Sequence, residues 1–247
     1  MCCFSRHVAS VSNTNIFARA SADGRQYLAY RMNYEAADEL AMILPLPTPA
    51  QSPEDAIRFI DLSGYPNFFD DLRLGFPEPQ AKSFGLRVTP ALRPAALKVH
   101  EVGSFEASFV PHQKDFARLD PRFRLPENVW GKLPQYRDWG FTVFKLKAGA
   151  KEVHPMAFEF PRRDPGGLFF PTVHIHDGKV HGQAHFDHAL YCQAQSAVQA
   201  PEWEQSMGNA ASFMAMDKTL GMIKPEHPVH RRRIRGMQKN EDVVVRE

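Results

Sequence analysis

Twenty prolines are spread along this 247-residue chain, outnumbering its fifteen glycines. Proline lacks an amide hydrogen and its ring collides with the preceding helical turn, so long helices are disfavoured over most of the length. What that leaves is a fold of short strands joined by stiff connections. Alternation of apolar and polar residues then predicts a three-strand meander in residues 11–46. Its strands are NTNIFARAS, RQYLAYRMNYE and LAMILPLP, with Asp23-Gly24 as the first turn.

Further along, residues 53–62 read as a short helix with Ser52 as N-cap and Pro53 at the first helical position. Residues 64–94 are Pro-rich and without periodicity, which marks a loop-rich insert. A strand pair is expected at about 97–110, and helical pieces broken by Pro121, Pro126 and Pro134 at 114–137. Strands follow at 140–149 and 154–163. Residues 202–222 space Met207, Phe213, Met214, Met216 and Met222 as one helix face, and the tail from Lys224 is basic. The expected fold class is α+β: a mainly antiparallel sheet with a few short helices and a C-terminal helix. It would form a single β-rich domain over 1–223, followed by a basic tail at 224–247.

Chemistry is concentrated late in the chain. His174, His176, His181, His185 and His188 fall within fifteen residues, and imidazole is the commonest protein metal ligand. Asp177-Gly178 inside this run is a strong two-residue hairpin signal. A turn there would pair His174 with His181 and put His174, His176 and His181 on one face, joined by His185. Val173, Ile175, Val180, Ala184 and Phe186 would form the apolar face. Three or four converging imidazoles make a transition-metal site for zinc, copper or iron. His174, His176, His181 and His185 are the candidate ligands, and His185 is also a candidate general base. Asp187, Glu159 and Glu106 are carboxylates the sequence cannot place. The main functional expectation is therefore a metal-binding protein, read as a metal-dependent enzyme acting on a small-molecule or peptide substrate.

Two other readings stay open. Cys2, if Met1 is removed, would carry its own α-amine beside the thiol, the arrangement of an N-terminal cysteine nucleophile in an amidohydrolase. Alternatively the histidine face is solvent-facing and the chain is a non-catalytic interaction module. Cys192 reads as a buried, inert thiol, and the methionines as core packing. The HRRRIRG run reads as a solvated end or as an intramolecular partner for acidic patches.

The formal charge of +2 gives no reason to expect nucleic acid. No stretch has the apolar length of a membrane helix, and MCCFSRHVAS lacks the apolar core of a signal peptide, so the expectation is a cytoplasmic protein without membrane partners. An odd count of three cysteines fits a reducing compartment.

The order of an early Cys, YLAYRMNYE…AMILPLP, VGSFEASFV, LPQYRDWGFTVFKLKAG, HPMAFEFPRR and LFFPTVHIH resembles a bacterial domain family of unknown function. The resemblance spans roughly residues 2–180 and rests on Ile-Leu-Pro-x-Pro, Val-Gly-aromatic and Tyr-xxx-Gly-aromatic segments. It implies a single domain and no particular activity.

Overall fold

A computed structural model describes residues 2–77, 105–125, 127–152, 154–194 and 201–246. The first strands are β1 (Cys2–Phe4), β2 (Ser10–Ala20), β3 (Arg25–Ala36), β4 (Leu40–Leu46) and β5 (Arg58–Asp61). Helix α1 (Phe68–Leu74) and β6 (Phe105–Val110) lead to α2 (Glu127–Trp130), β7 (Gly140–Leu146), β8 (Gly149–Glu152) and β9 (Met156–Pro161). Then come β10 (Gly167–Phe170), β11 (His174–Ile175), β12 (Gln183–Gln193), β13 (Glu204–Asn209), β14 (Pro228–Lys239) and β15 (Val243–Arg246).

The strands form a five-stranded sheet ordered β11-β1-β4-β7-β6 and an eight-stranded sheet ordered β13-β14-β12-β2-β3-β9-β5, with β8 also on β3. A two-stranded ribbon, β10-β15, completes the set. Both large sheets are mixed: β1 runs parallel to β11 and β12 parallel to β2, while the other pairings are antiparallel. Two helices are the only α-helices among the described residues. The α+β expectation is thus corrected to a β-sandwich-like fold. The predicted meander is also split. β2 and β3 pair as a hairpin across Asp23-Gly24, both at positive φ, but β4 crosses to the opposite sheet.

Burial explains the split. In β4 every residue is buried. Leu40, Met42, Leu44 and Leu46 face the core between the sheets, beside Ile16, Leu28, Tyr30, Phe158 and Leu190. Ala41 and Ile43 face outward, under Phe116, Leu125, Val129 and Tyr136 from the turns and α2 at 113–136. A strand apolar on both faces needs a cover on both, and each such Leu or Ile contributes about 2 kcal/mol. The outer face of the eight-stranded sheet is covered in the same way. There Phe17, Ala29 and Tyr191 lie under Phe68, Phe69 and Leu72 of α1 and under Met214, Met222 and Ile223.

The C-terminal helix expected at 202–222 is absent. Glu204–Asn209 is strand β13, and short 3₁₀ turns follow at Ala210–Ser212 and Met216–Lys218. Leu220 and Gly221 have φ of 50° and 78°, which no right-handed helix accommodates. Side chains rather than helical bonds hold this segment. Arg19 Nε donates to Met222 O at 2.6 Å, and its Nη2 donates to Gly221 O at 2.6 Å. Lys224 N donates to Gln193 Oε1 at 2.8 Å, and Gln193 Nε2 returns to Lys224 O at 2.9 Å. Met207 is exposed while Met214 and Met222 are buried, so the methionines share no single face.

Three further expectations change. The helix expected at 53–62 is not formed, because Arg58–Asp61 pairs with β9 as an edge strand. The 64–94 insert contains α1, while 78–94, with the 97–104 part of the expected strand pair, lies outside the described residues. The segment 224–247, expected as a tail, supplies β14, which lies between β13 and β12, and β15.

Candidate functional site

The histidine segment does turn at Asp177-Gly178, but no hairpin forms there. Gly178 has φ of 71°, and Lys179 N donates to Asp177 Oδ1 at 3.0 Å. The two sides of the turn then part. His174–Ile175 pairs with β1, setting His174 opposite Cys2 and Ile175 opposite Cys3. β12 instead joins the other sheet, between β14 and β2.

Asn240 anchors the start of this turn. Its Oδ1 accepts from His174 N at 2.7 Å, and its Nδ2 donates to His174 O at 3.0 Å and His181 O at 2.9 Å. Just upstream, Asp242 Oδ1 accepts from the amides of Thr172 and Val173 at 2.8 and 3.1 Å, and Tyr136 donates to its Oδ2 at 2.5 Å. Burial pushes the Asp242 carboxyl up, and these three donors oppose the shift.

Alternation along β12 aims Phe186, His188, Leu190 and Cys192 into the core between the sheets. His174 enters the same space from the facing sheet. Their Nε2 atoms are 3.2 Å apart, so one ring donates and the other accepts, and both are neutral. The rings also stack, with His174 centred 4.8 Å from His188 and 4.9 Å from His176, at interplanar angles of 29° and 24°. Phe186 packs on His174 at 4.4 Å and Phe4 on His176 at 5.6 Å. Burial lowers the pKa of His174 to about 3 and of His176 to about 4, and holds His188 well below the ordinary imidazole value. His176 Nε2 is buried and has no hydrogen-bond partner among the described residues.

The candidate ligands are therefore only partly brought together. His174 and His176 meet, but His181 is exposed and bonds Asp177 at 3.0 Å, and His185 is exposed on β12 opposite Met237. Among the described residues no group of three or more His, Cys, Asp or Glu side chains is placed to hold a metal ion. The metal-dependent reading is corrected on this ground. The candidate carboxylates lie elsewhere: Glu159 is held by Arg25 and Arg58, Glu106 by Lys145, and Asp187 accepts from Asn13 N.

Cys2 is brought beside the histidines by its backbone, which the sequence alone did not indicate. Cys192 is buried, as an inert thiol would be. His188 and Phe186 belong to the cluster although the hairpin reading set them apart from its histidine face. Their signal was the two-residue period of Phe186, His188, Leu190 and Cys192, which is the pattern of a buried strand face.

No family model and no curated protein matches the chain. Solved structures do. Baculovirus P35 is similar at a TM-score of 0.56 and 12% identity, over 99% of both chains. A mutated baculovirus P35 solved after caspase cleavage is similar at a TM-score of 0.51 and 12% identity, over 95% of this chain and 99% of that one. At this identity the likeness establishes the fold. These neighbours are viral proteins, whereas the sequence resemblance was to a bacterial family. No helix among the described residues is long and apolar enough to cross a membrane.

Proposed function

We propose that this chain is a non-catalytic interaction module that engages a cysteine protease of the caspase class. The observation that carries the reading is the extent of the fold likeness, which takes in 99% of both chains rather than one shared motif. A mutated form of that neighbour was solved after caspase cleavage, so a protein of this architecture meets a caspase as a protein partner. The cytoplasmic location expected from the sequence belongs to the same proposal.

The histidine corner supports a binding role over a catalytic one. A general base must reach solvent or substrate and titrate near the working pH. His174 and His188 are buried, their ring nitrogens face each other, and burial keeps them neutral far below neutrality. In this reading the corner fixes β1 and β11 against β12 and so gives the surrounding surface one shape. Rigid scaffolds of this kind lose less freedom on binding.

The test is a titration of purified caspases with the full chain, read as residual hydrolysis of a fluorogenic peptide and as the intact mass of this chain afterwards. Loss of activity at near-stoichiometric ratios, or a single cut in this chain, is expected with at least one of them. Unchanged activity and an uncut chain throughout the panel would overturn the proposal.

A further inference from the structure

The HRRRIRG run forms the middle of β14, and alternation sends its arginines to opposite faces. Arg231, Arg233 and Arg235 stand directly across from Tyr191, Ala189 and Asp187 on β12. Arg73, near the end of α1, joins them around a pocket of about 280 Å³ on the outer side of the eight-stranded sheet. Four arginines thus face one aspartate, Asp187, in the pocket lining.

The acidic groups packed nearby only partly offset this charge. Glu204 pairs with Arg231 at 2.6 Å, and Asp70 lies 3.6 Å from Arg73 but gives both oxygens to Arg31 at 2.9 and 3.0 Å. Asp187 is engaged by the Asn13 amide at 3.0 Å. Arg235 is in no ion pair among the described residues and is exposed.

The floor of the pocket is built rather than superficial. The Arg231 side chain is 5% exposed, and its guanidinium lies 4.4 Å from the centre of the Phe76 ring. Its buried Nε–H has no acceptor among the described residues. The Tyr191 hydroxyl is buried beside it. Burial pushes the phenol up, and Arg231, Arg73 and Arg233 oppose that shift. Guanidinium groups of four arginines, an unmet donor and a hydroxyl lining one concavity match the oxygens of a phosphate group better than a single carboxylate.

We propose that this pocket binds a phosphate-bearing small molecule, with Arg231 and Tyr191 at its floor and Arg73, Arg233 and Arg235 closing over the anion. The site opens on the outer side of β12, with His188 also among its lining residues, and does not depend on the protease reading.

Calorimetric titration of the full chain with inorganic pyrophosphate and with phosphate, at low ionic strength, tests it. One-to-one binding is expected for the wild type. Arg233→Ala and Arg235→Ala should each weaken it roughly tenfold, the loss expected for one charge-assisted hydrogen bond. Arg232→Ala, on the opposite face of β14, should leave affinity unchanged. Thermal melts of each variant without anion establish that the fold is kept. No binding by the folded wild type would overturn the site, as would equal affinity in wild type and an Arg233→Ala/Arg235→Ala double variant.

Discussion

His174 and His188 meet nitrogen to nitrogen, 3.2 Å apart, from opposite sheets of the sandwich. Among the described residues each supplies the only partner of the other's Nε2, so removing one strands a buried donor or acceptor. His174→Ala and His188→Ala should each cost about 2 kcal/mol, from the lost bond and the cavity together. His181→Ala and His185→Ala, at exposed positions, should stay within about 0.5 kcal/mol. Urea denaturation of the four variants separates the pairs. Equal effects across all four would contradict the assignment of the buried cluster.

The same burial makes stability depend on pH. The folded pKa values of His174 and His176 are about 3 and about 4, below the ordinary value of about 6.5 for an unfolded histidine. As pH falls below about 6.5 the unfolded chain takes up protons that the native cluster refuses, so stability declines. Each such group contributes a slope of about 1.4 kcal/mol per pH unit. Between pH 6.5 and about 5 most carboxylates stay ionised. Asp242, whose carboxyl burial pushes up, is common to wild type and variant, so the difference between them reports the histidines. His188→Leu should be less stable than wild type at pH 7.5 but fall less steeply by pH 5. Parallel profiles would count against the cluster as the origin.

Arg31, nearly inaccessible, holds α1 to β3 through both oxygens of Asp70. Asp70→Asn takes this countercharge away from that interior guanidinium. Since Asp70 is about half exposed, the expected loss is about 2 kcal/mol rather than the full cost of breaking a buried pair. Arg31 holds the Asp70 carboxyl below its usual range, so this contribution is present at neutral pH. It disappears as the carboxylate protonates in acid. Denaturation at pH 7 should show the gap between wild type and variant, and hydrogen exchange should place the loosening in α1.

What could be read from the sequence was mostly local. The β2–β3 hairpin was legible because Asp23-Gly24 demands positive φ at both positions and the flanking residues alternate. The Asp177-Gly178 turn was equally legible, yet the hairpin drawn from it was wrong. Its two arms find longer-range partners, β1 for His174–Ile175 and β14 with β2 for Gln183–Gln193. Nothing within the segment encodes those pairings. The error then propagated to the site: His181 and His185 were grouped with His174 when His188 was the true neighbour. The methionine spacing at 207–222 fits a helix as well as it fits an irregular cover, and only the backbone at Leu220 and Gly221 decides between them. Arg231, Arg233 and Arg235 looked like a solvated tail because the strand that orders them pairs with β12, forty residues or so earlier in the chain.

The protease encounter is the claim on which the functional account turns. Light scattering coupled to size-exclusion chromatography, on an equimolar mixture of the full chain and an active caspase, measures it directly. The account predicts a co-eluting species whose mass is the sum of one copy of this chain and the protease unit it holds. Separate elution of both proteins at their own masses, with this chain uncut and each caspase of a panel tried in turn, would contradict it.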